Sequence, residues 1–596
     1  MKNRKKIYTD NVKKYRSILD RTSRRLLYLS LLRLFDFIAG ILLLVLLWKI
    51  SQQAAIGAFV VSVILFIVLL KRYSVQSFKK TFYENLVLIN EKELNGLNDD
   101  HSGFDGGDEY IDQHHDFSHD IDLFGKDSLF QYLNRTFTGR GKNIFAGWLM
   151  EPLILSNKLG ERQDAIKELA GLVRWRHEFN AYGMMGITDE STLNDFVNWL
   201  KEEPVYLTNR IYKVIRFLMP AITIILFALA VSSILHYSIF IFFFLINLGI
   251  ISINLRQINN IHAKFSRKHS MFKTLSNLII HFEGHKFNSV YINDLQKVLS
   301  AGGSLASNSM VRLSKILQAF DNRLNMLMAV PLNGFLLWDI QCINRLEAWK
   351  KSASDLVPQW FHNLGQADAL CSLANFGFNN ANYCYPVLSD GKEYISSRKL
   401  GHPLIPEKTR ICNDFIISRK GEINIITGAN MAGKSTFLRT VAVNMILAMT
   451  GAPVCADEFA FTQCNVYSSM RTTDSLSDSE SYFYAELKRL RVLKERLEKN
   501  ESIFFLLDEI LKGTNSEDKS KGSRLFIEKI IKYDATGIVA THDILLGKLG
   551  NTHDSIRNRC FEIEIDGDEV KFDYILREGM TTKMNAAILM RQMGII

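Results

Sequence analysis

The residues best suited to chemistry in this chain lie at 422–441, in the segment EINIITGANMAGKSTFLRTV. An apolar, β-branched run leads into Gly428-x-x-x-x-Gly433-Lys434-Ser435, and a helical pattern follows directly. A strand, a glycine loop and a helix in this order are what a phosphate-binding loop requires. The glycines let backbone N–H groups turn toward phosphate oxygens, and the opening helix turn adds its dipole. The segment therefore predicts a nucleotide site.

The chemistry of the loop assigns roles to individual residues. Lys434 supplies a positive charge to the β- and γ-phosphates, and the hydroxyl of Ser435 is suited to Mg²⁺. The predicted nucleotide-binding residues of the loop are Gly428, Ala429, Asn430, Met431, Ala432, Gly433, Lys434, Ser435 and Thr436.

A second part of the site follows about 75 residues later. The apolar run 502–507 has the character of a buried strand and ends in Asp508 and Glu509. A carboxylate at the carboxyl end of a central strand lies beside the phosphate loop, so Asp508 joins Ser435 as a predicted Mg²⁺ ligand. Glu509 is the natural group to activate the attacking water. His542 follows another apolar run and is placed to contact the γ-phosphate or that water. The predicted cofactors are ATP and Mg²⁺, and the predicted catalytic residues are Glu509, Lys434 and His542.

Composition limits the classes of protein. A chain of 596 residues is too long for one core and predicts several domains. The net charge of +10 is concentrated in residues 1–33, which carry a net +9, so the rest carries about +1. A basic stretch beside an apolar run is typical of a cytoplasmic segment next to a membrane, and the overall charge gives no support for DNA binding. The cysteines show no zinc spacing and indicate reduced thiols: 342, 371, 384, 412, 455, 464 and 560.

Four apolar segments occur in two pairs, at about 34–50 and 54–70, then at 217–235 and 238–255. Each is close to the roughly 20 residues that cross a bilayer, and the short connections predict two helical hairpins. Lys and Arg lie at the outer ends of both pairs, which places the termini and all large segments in the cytoplasm. The alternative is that these segments are buried helices of a large soluble core.

The pattern along the chain predicts four regions. The stretch 96–122 is rich in Asp, Gly and His, and we favour a solvated acidic loop over a metal site because its spacing matches no fixed template. The regions are a basic leader with the first hairpin (1–80), an acidic linker (81–122), a helical domain interrupted by the second hairpin (123–384) and an α/β domain (385–596).

Several segments together resemble the MutS family of DNA mismatch-repair ATPases. The loop TGANMAGKSTFLRT contains the family's Asn-Met-Ala insert at 430–432, LLDEILKGTNSED resembles its acidic strand and following loop, and ATHD at 540–543 matches its histidine switch. Residues 474–486, DSLSDSESYFYAE, are similar to its signature segment. The likeness covers about 123–200 and 365–596.

The resemblance implies a multidomain fold with an α/β P-loop ATPase domain of the ABC type and an all-α MutS-like core, to which the apolar segments add two transmembrane hairpins. It also implies a homodimer that hydrolyses Mg-ATP to switch conformation, with Ser481 of one subunit reaching the γ-phosphate bound by the other. Asn430 would lie near the γ-phosphate, and Asn413-Asp414 beside the adenine. DNA is the partner that the family implies.

Two departures limit the analogy. Ser479 stands where the signature segment usually has Gly. Only about 40 residues lie between position 82, a dozen past the first hairpin, and the core, so we expect the mismatch-recognition and connector domains to be missing. Phe82-Tyr83-Glu84 matches the family's mismatch-wedge motif, and we interpret this match as accidental.

Two other functions stay open beside a DNA-handling ATPase. One is a membrane-bound, ATP-gated scaffold with protein partners, and the other is an ABC-like transport ATPase. Intact Lys434, Asp508 and Glu509 disfavour a loss of catalysis. The signature segment lacks the Ser-Gly-Gly core of transport ATPases, and polar residues are sparse in the apolar segments.

Overall fold

The structure is a computed structural model that describes residues 2–152, 156–186, 190–265, 269–300, 305–391, 393–471, 482–566 and 569–581. Within these ranges the fold is mostly helical, with one four-stranded and one six-stranded sheet. Ser479 and Ser481 lie outside the described residues, as do residues 582–596.

The helices of the described ranges begin with a long antiparallel pair and continue as a bundle. They are α1 (Lys2–Trp48), α2 (Gln52–Gly96), α3 (Leu129–Leu133), α4 (Gly139–Met150), α5 (Ser156–Gly171), α6 (Val173–Gly183), α7 (Glu190–Lys201), α8 (Arg210–Val231), α9 (Tyr237–Phe265), α10 (His269–Glu283), α11 (Val290–Leu299), α12 (Ala306–Asp321), α13 (Met326–Leu336), α14 (Trp338–Ala353), α15 (Val357–Asn379), α16 (Lys434–Thr450), α17 (Tyr482–Glu498), α18 (Ser516–Ile531) and α19 (Ile544–Gly547).

The basic leader is part of α1, which runs without interruption for 47 residues, about 70 Å, into the first apolar segment. The polar ends of α1 and α2 rest on the helical bundle. The Tyr8 hydroxyl donates to Asn379 Oδ1 at 2.8 Å, and the ring centroids of Phe82 and Tyr182 are 4.5 Å apart. Phe82 is therefore a packing residue between α2 and α6.

Among the residues that the structure describes, four helices are long and apolar enough to cross a membrane: α1, α2, α8 and α9. Only 11–17% of the residues in their most apolar windows are buried within the protein. Phe35 is 71% exposed and Ile253 is 85% exposed. The alternative that these segments are buried helices of a soluble core is therefore wrong.

Except for α13, the other helices of residues 129–379 share a hydrophobic core with the α/β unit that follows them in the chain. Its large buried side chains include Phe145, Phe179, Phe272, Trp349 and Trp360. Because α16 packs against both the sheet and the bundle, the two parts of the protein form one continuous core.

The C-terminal α/β unit contains both sheets. The strands are β1 (Val387–Leu388), β2 (Ile395–Leu400), β3 (Asn413–Ile417), β4 (Ile423–Gly428), β5 (Glu458–Phe461), β6 (Asn465–Ser469), β7 (Ile503–Asp508), β8 (Thr536–Thr541), β9 (Ile556–Asp566) and β10 (Glu569–Glu578). The small sheet has the order β1-β5-β2-β3, and the large sheet has the order β10-β9-β4-β8-β7-β6. Strands β9, β4, β8, β7 and β6 are parallel, and β10 is antiparallel to β9.

The end of the acidic linker lies against β6, the edge strand of the large sheet. The Ser468 amide donates to the Asp116 carbonyl at 2.9 Å, and Asp120, 3% exposed, accepts from the Arg471 amide at 2.8 Å. Asp122 pairs with the Arg471 guanidinium. The expectation of a solvated acidic loop is therefore wrong for this part of the linker. Its partners lie about 350 positions away, beyond the reach of a local pattern.

Candidate functional site

The order of the large sheet brings three loop regions to one edge. Strand β8 lies between β4 and β7, and all three run in the same direction. The glycine loop follows β4, Asp508 and Glu509 lie at the end of β7, and His542 follows β8. Since the carboxyl ends of parallel strands meet at one edge of a sheet, residues that are up to 114 positions apart in sequence face one another here.

The glycine loop has the backbone that its sequence predicts. Gly433 has φ +102°, a conformation that side chains rarely adopt, and Met431 also lies in the left-handed region at +68°. A Cβ on Gly428 would lie 3.0 Å from the Phe561 carbonyl oxygen of the neighbouring strand β9. Gly433 is thus required for the backbone turn, and Gly428 for the close packing of β4 against β9.

Lys434 opens helix α16 and is only 6% exposed. Its Nζ donates to the carbonyl oxygens of Gly428 and Ala429, both at 2.8 Å. Burial lowers the pKa of Lys434, and the carboxylates of Glu509 and Asp508 act in the opposite direction. The ammonium group therefore lies in the curve of the loop, where an anionic group would complete its surroundings.

Ser435 and Asp508 are in direct contact. The serine Oγ donates to Asp508 Oδ2 at 2.5 Å, across 73 positions of sequence. A hydroxyl and a carboxylate this close are oxygen ligands of the kind that Mg²⁺ uses together with phosphate oxygens and water. These two residues fit the metal role that the sequence predicts for them.

Glu509 lies next to Asp508 and has an unusual backbone conformation. Its φ is +55°, and its amide donates to the Ala540 carbonyl of β8 at 2.9 Å. The Oε1 atom is 3.2 Å from His542 Nδ1, and Oε2 is 3.9 Å from Lys519 Nζ. Burial raises the pKa of Glu509, but the hydrogen bond and charge of His542, with Lys512 and Lys519, outweigh it and lower the pKa overall. The carboxylate is therefore ionised and oriented at neutral pH.

A cavity of about 500 Å³ opens in front of the loop, a size typical of small-molecule sites. Its lining includes predicted residues: Asn413, Asn430, Met431, Gly433, Lys434, Ser435, Thr436 and Glu509. It also includes residues that the sequence did not assign to a site: Leu400, His402, Ile405, Thr409, Ile411, Phe437, Thr440, Phe561 and Tyr574. Asp414, which the resemblance places beside the adenine, is exposed, and its Oδ1 accepts from the Lys399 amide at 2.7 Å.

Tyr574 is the clearest of the unassigned residues. It has φ +55° and lies where the pairing of β9 with β10 shifts register. Asn413 fixes this irregular segment, since its Nδ2 donates to the Tyr574 carbonyl at 3.0 Å and its Oδ1 accepts from the Leu576 amide at 2.7 Å. A Cβ on Gly433 would come within 3.0 Å of the tyrosine ring. No sequence signal marks a bulge of this kind.

His402, in the GHPLI segment, forms another part of the cavity wall. Burial, with the nearby Arg439 and Arg410, lowers the pKa of His402 to about 4. The ring is therefore neutral at physiological pH and adds hydrogen-bonding capacity to the cavity without charge.

Part of the signature segment is also described. Glu486, on the first turns of α17, accepts hydrogen bonds from the amides of Leu511 and Lys512, the latter at 3.0 Å. A Cβ on Gly513 would lie 2.9 Å from Phe483 Cβ. The start of α17 thus packs directly on the loop that follows Asp508 and Glu509, whereas Ser481 lies outside the described residues.

Comparison with known proteins gives a consistent result for this part of the chain. Residues 424–593 match the family described as MutS domain V. The chain is 28% identical to the DNA mismatch repair protein MutS of Thermotoga neapolitana over 248 residues, which are 41% of this chain and 30% of that protein. It is 28% identical to the MutS protein homolog him-14 of Caenorhabditis elegans over 267 residues, 44% of this chain and 30% of the relative.

A further relative is the DNA mismatch repair protein MSH3 of Vanderwaltozyma polyspora, 30% identical over 233 residues, 37% of this chain and 22% of that protein. The chain thus spans less than a third of the length of these curated relatives.

Proposed function

We propose that this chain is a membrane-anchored, dimeric ATPase that acts on DNA, because residues 424–593 match MutS domain V and this region is similar to DNA mismatch repair proteins. The observation that carries this proposal is the meeting of two pairs at one sheet edge, Ser435 with Asp508 and Glu509 with His542. Phosphate loops, strand-end carboxylates and a water-orienting group together are the parts of a nucleotide hydrolase.

Each residue has a role that follows from its position. Lys434 and the loop N–H groups bind and neutralise the β- and γ-phosphates. Ser435 and Asp508 would hold Mg²⁺, which supplies further charge neutralisation when it is bound. Glu509 orients the attacking water and accepts its proton, and His542 keeps the carboxylate in place through the 3.2 Å contact.

The wall of the cavity supplies the rest of the nucleotide site. Ile411, Phe561 and Tyr574 offer apolar and aromatic surface for a base, and Asn413 fixes the segment that carries Tyr574. His402 adds a neutral hydrogen-bonding group. Ser481 of the partner subunit would complete the γ-phosphate site in trans, as the family resemblance implies.

The membrane anchor rests on the four exposed apolar helices. Helices α1, α2, α8 and α9 present apolar surface that no other part of the described protein covers. Positive charge on α1 next to its apolar half favours the cytoplasmic side for the ATPase. Acting on DNA is the family's activity, and we extend it to a protein held at a membrane.

The test is ATP turnover by the full chain in detergent, without DNA and with linear, mismatched or branched DNA. We expect magnesium-dependent turnover that one class of DNA stimulates. Glu509→Gln should lose turnover by a factor of about 10²–10⁴ while retaining ATP binding. Glu517→Gln is the matched control, because this exposed carboxylate on α18 lies eight positions away and does not line the cavity.

The outcomes separate the parts of the proposal. Equal turnover in Glu509→Gln and wild type would contradict the catalytic assignment. Normal turnover that no DNA changes would support the ATPase assignment but contradict DNA as the partner. It would favour a membrane-bound scaffold.

A further inference from the structure

Helix α13, with only 11 residues, exposes a cluster of large apolar side chains. The exposed fractions of Met326, Leu327 and Met328 are 79%, 85% and 56%, and Leu324, just before the helix, is 65% exposed. No charged residue occurs from 324 to 338. A contiguous exposed apolar patch of this kind marks a surface that contacts another apolar surface, of a protein or of a membrane.

The C-terminal turns of α13 pack against the apolar hairpin of α8 and α9. The ring of Phe335 lies 5.3 Å from Phe227, 5.5 Å from Phe240 and 5.5 Å from Phe244, measured between centroids. Gly334 allows this approach, because a Cβ there would lie 2.1 Å from the Phe244 ring. A small residue at a close helix crossing is typical of helices that associate within a bilayer.

A buried polar contact ties the three helices together. Asn247 of α9 donates through Nδ2 to the Gly334 carbonyl at 2.7 Å and to Thr223 Oγ1 of α8 at 3.0 Å. Asn247 and Thr223 are both fully buried, at 0% exposure. Hydrogen bonds between otherwise apolar helices stabilise such assemblies in lipid. The lipid chains are as apolar as the helices, so the hydrophobic effect does not drive the helices together there.

The chain then turns back toward the bundle. Leu337 has φ +49°, and α14 leaves at 79° to α13. Near the turn the chain is polar again: Arg323 Nε is 3.1 Å from Asp339 Oδ2, at the buried start of α14. An 11-residue helix is about 16 Å long, roughly half of the bilayer's hydrocarbon thickness.

We propose that α13 is a third intramembrane helix of the core: a re-entrant half-helix whose exposed first turn, with Met326, Leu327 and Met328, contacts lipid acyl chains. The occupant follows from continuity, because this turn belongs to a helix that packs on α8 and α9, whose own apolar surface is exposed, as at Ile225, 58% exposed. A protein interface would carry a polar rim, and the segment 324–338 has no charged residue. The inference rests on the proposed membrane anchor.

The test places a nitroxide spin label at Leu327→Cys, in full-length protein with Cys384 and Cys412 replaced by serine, because the other cysteines are buried. The protein is reconstituted into vesicles of phosphatidylcholine and phosphatidylglycerol. Collisions of the label with oxygen, which concentrates in lipid, are compared with collisions with a water-soluble nickel chelate. We expect frequent oxygen collisions and loss of nickel collisions at position 327.

Two labelled control positions make the outcomes distinguishable. Ile225→Cys on α8 should give the lipid pattern, and Val387→Cys on β1, 60% exposed in the α/β unit, should collide freely with nickel. If 225 gives the lipid pattern and 327 collides with nickel, α13 lies in water and the inference is overturned. If 327 is shielded from both reagents, a protein partner covers it, which also overturns the inference. Nickel collisions at 225 itself would instead refute the membrane anchor.

Discussion

Asp120 offers the sharpest test of how the acidic linker is bound to the α/β unit. Its carboxylate, 3% exposed, accepts hydrogen bonds from Ser468 Oγ at 2.6 Å, the Arg471 amide at 2.8 Å and the Met470 amide at 3.2 Å. Replacing it by alanine removes the acceptor that these three donors share, and Ser468 Oγ keeps only its 3.4 Å contact with the Asp116 carbonyl. Asp122, two positions on, makes ion pairs with Arg471 but is 42% exposed in its side chain.

The two substitutions should therefore differ in how much they lower the free energy of unfolding. A hydrogen bond to a charged group contributes about 1.5–3 kcal/mol, so the loss of the Asp120 carboxylate from its three donors should lower the free energy of unfolding by about 3–5 kcal/mol. A solvent-exposed ion pair contributes about 0–1 kcal/mol, which is the expectation for Asp122→Ala. Because the α/β unit shares one core with the helical bundle, the Tm decreases are compared with each other, and that of Asp120→Ala should be at least about three times that of Asp122→Ala.

Calorimetry of the detergent-purified chain measures the difference. The transition that Mg-ATP moves to higher temperature identifies the unfolding of the core that contains the α/β unit, since a ligand stabilises the part that binds it. Equal Tm decreases for the two variants, or none for Asp120→Ala, would refute the view that the linker is anchored through its buried carboxylate.

Three further predictions concern the nucleotide site. Lys434→Ala should weaken ATP binding by about 1.5–3 kcal/mol, about 10- to 150-fold, in titration calorimetry, whereas exposed Lys420→Ala should not. Gly433→Ala, at φ +102° and within 3.0 Å of Tyr574, should cost about 1–2 kcal/mol of stability in denaturant titrations, only part of which Tyr574→Ala restores. Because the pKa of Glu509 is lowered, its stabilising ionised form persists down to pH 4.5, so the Tm difference from Glu509→Gln should be present above pH 4.5 and shrink as pH falls through the lowered pKa.

The parts of the site that the sequence predicts are those with a local signature. Gly433, Lys434 and Ser435 are set by a strand, a loop and a helix that follow one another, and Asp508 by a buried run that ends in acid. Their meeting follows from one rule about parallel sheets, and the 2.5 Å contact of Ser435 with Asp508 accords with it. The roles of these residues in catalysis stay predictions.

The missed features depend on contacts between distant segments. Tyr574 reaches the cavity through an irregularity of β10 held by Asn413, 161 positions away. Asp120 is acidic, and composition favours a solvated loop, but arginine and backbone donors far along the chain bury it. Helix α13 is too short for a spanning segment and contains Pro331, so no length criterion selects it. Local pattern carries none of this information.

The acidic linker connects the first apolar hairpin to two sides of the proposed nucleotide site. Its residues 97–122 follow α2, which ends at Gly96, and its Asp122 pairs with Arg439 and Arg471. Arg439 lies on α16 one turn after Ser435, and Arg471 precedes the signature segment. If nucleotide binding shifts α16 relative to the signature segment, Asp122 has to lose its pair with Arg439 or with Arg471, or the linker has to move together with α2. Since such coupling is reciprocal, a change at the membrane hairpin that displaces the linker should alter nucleotide affinity by the same free energy.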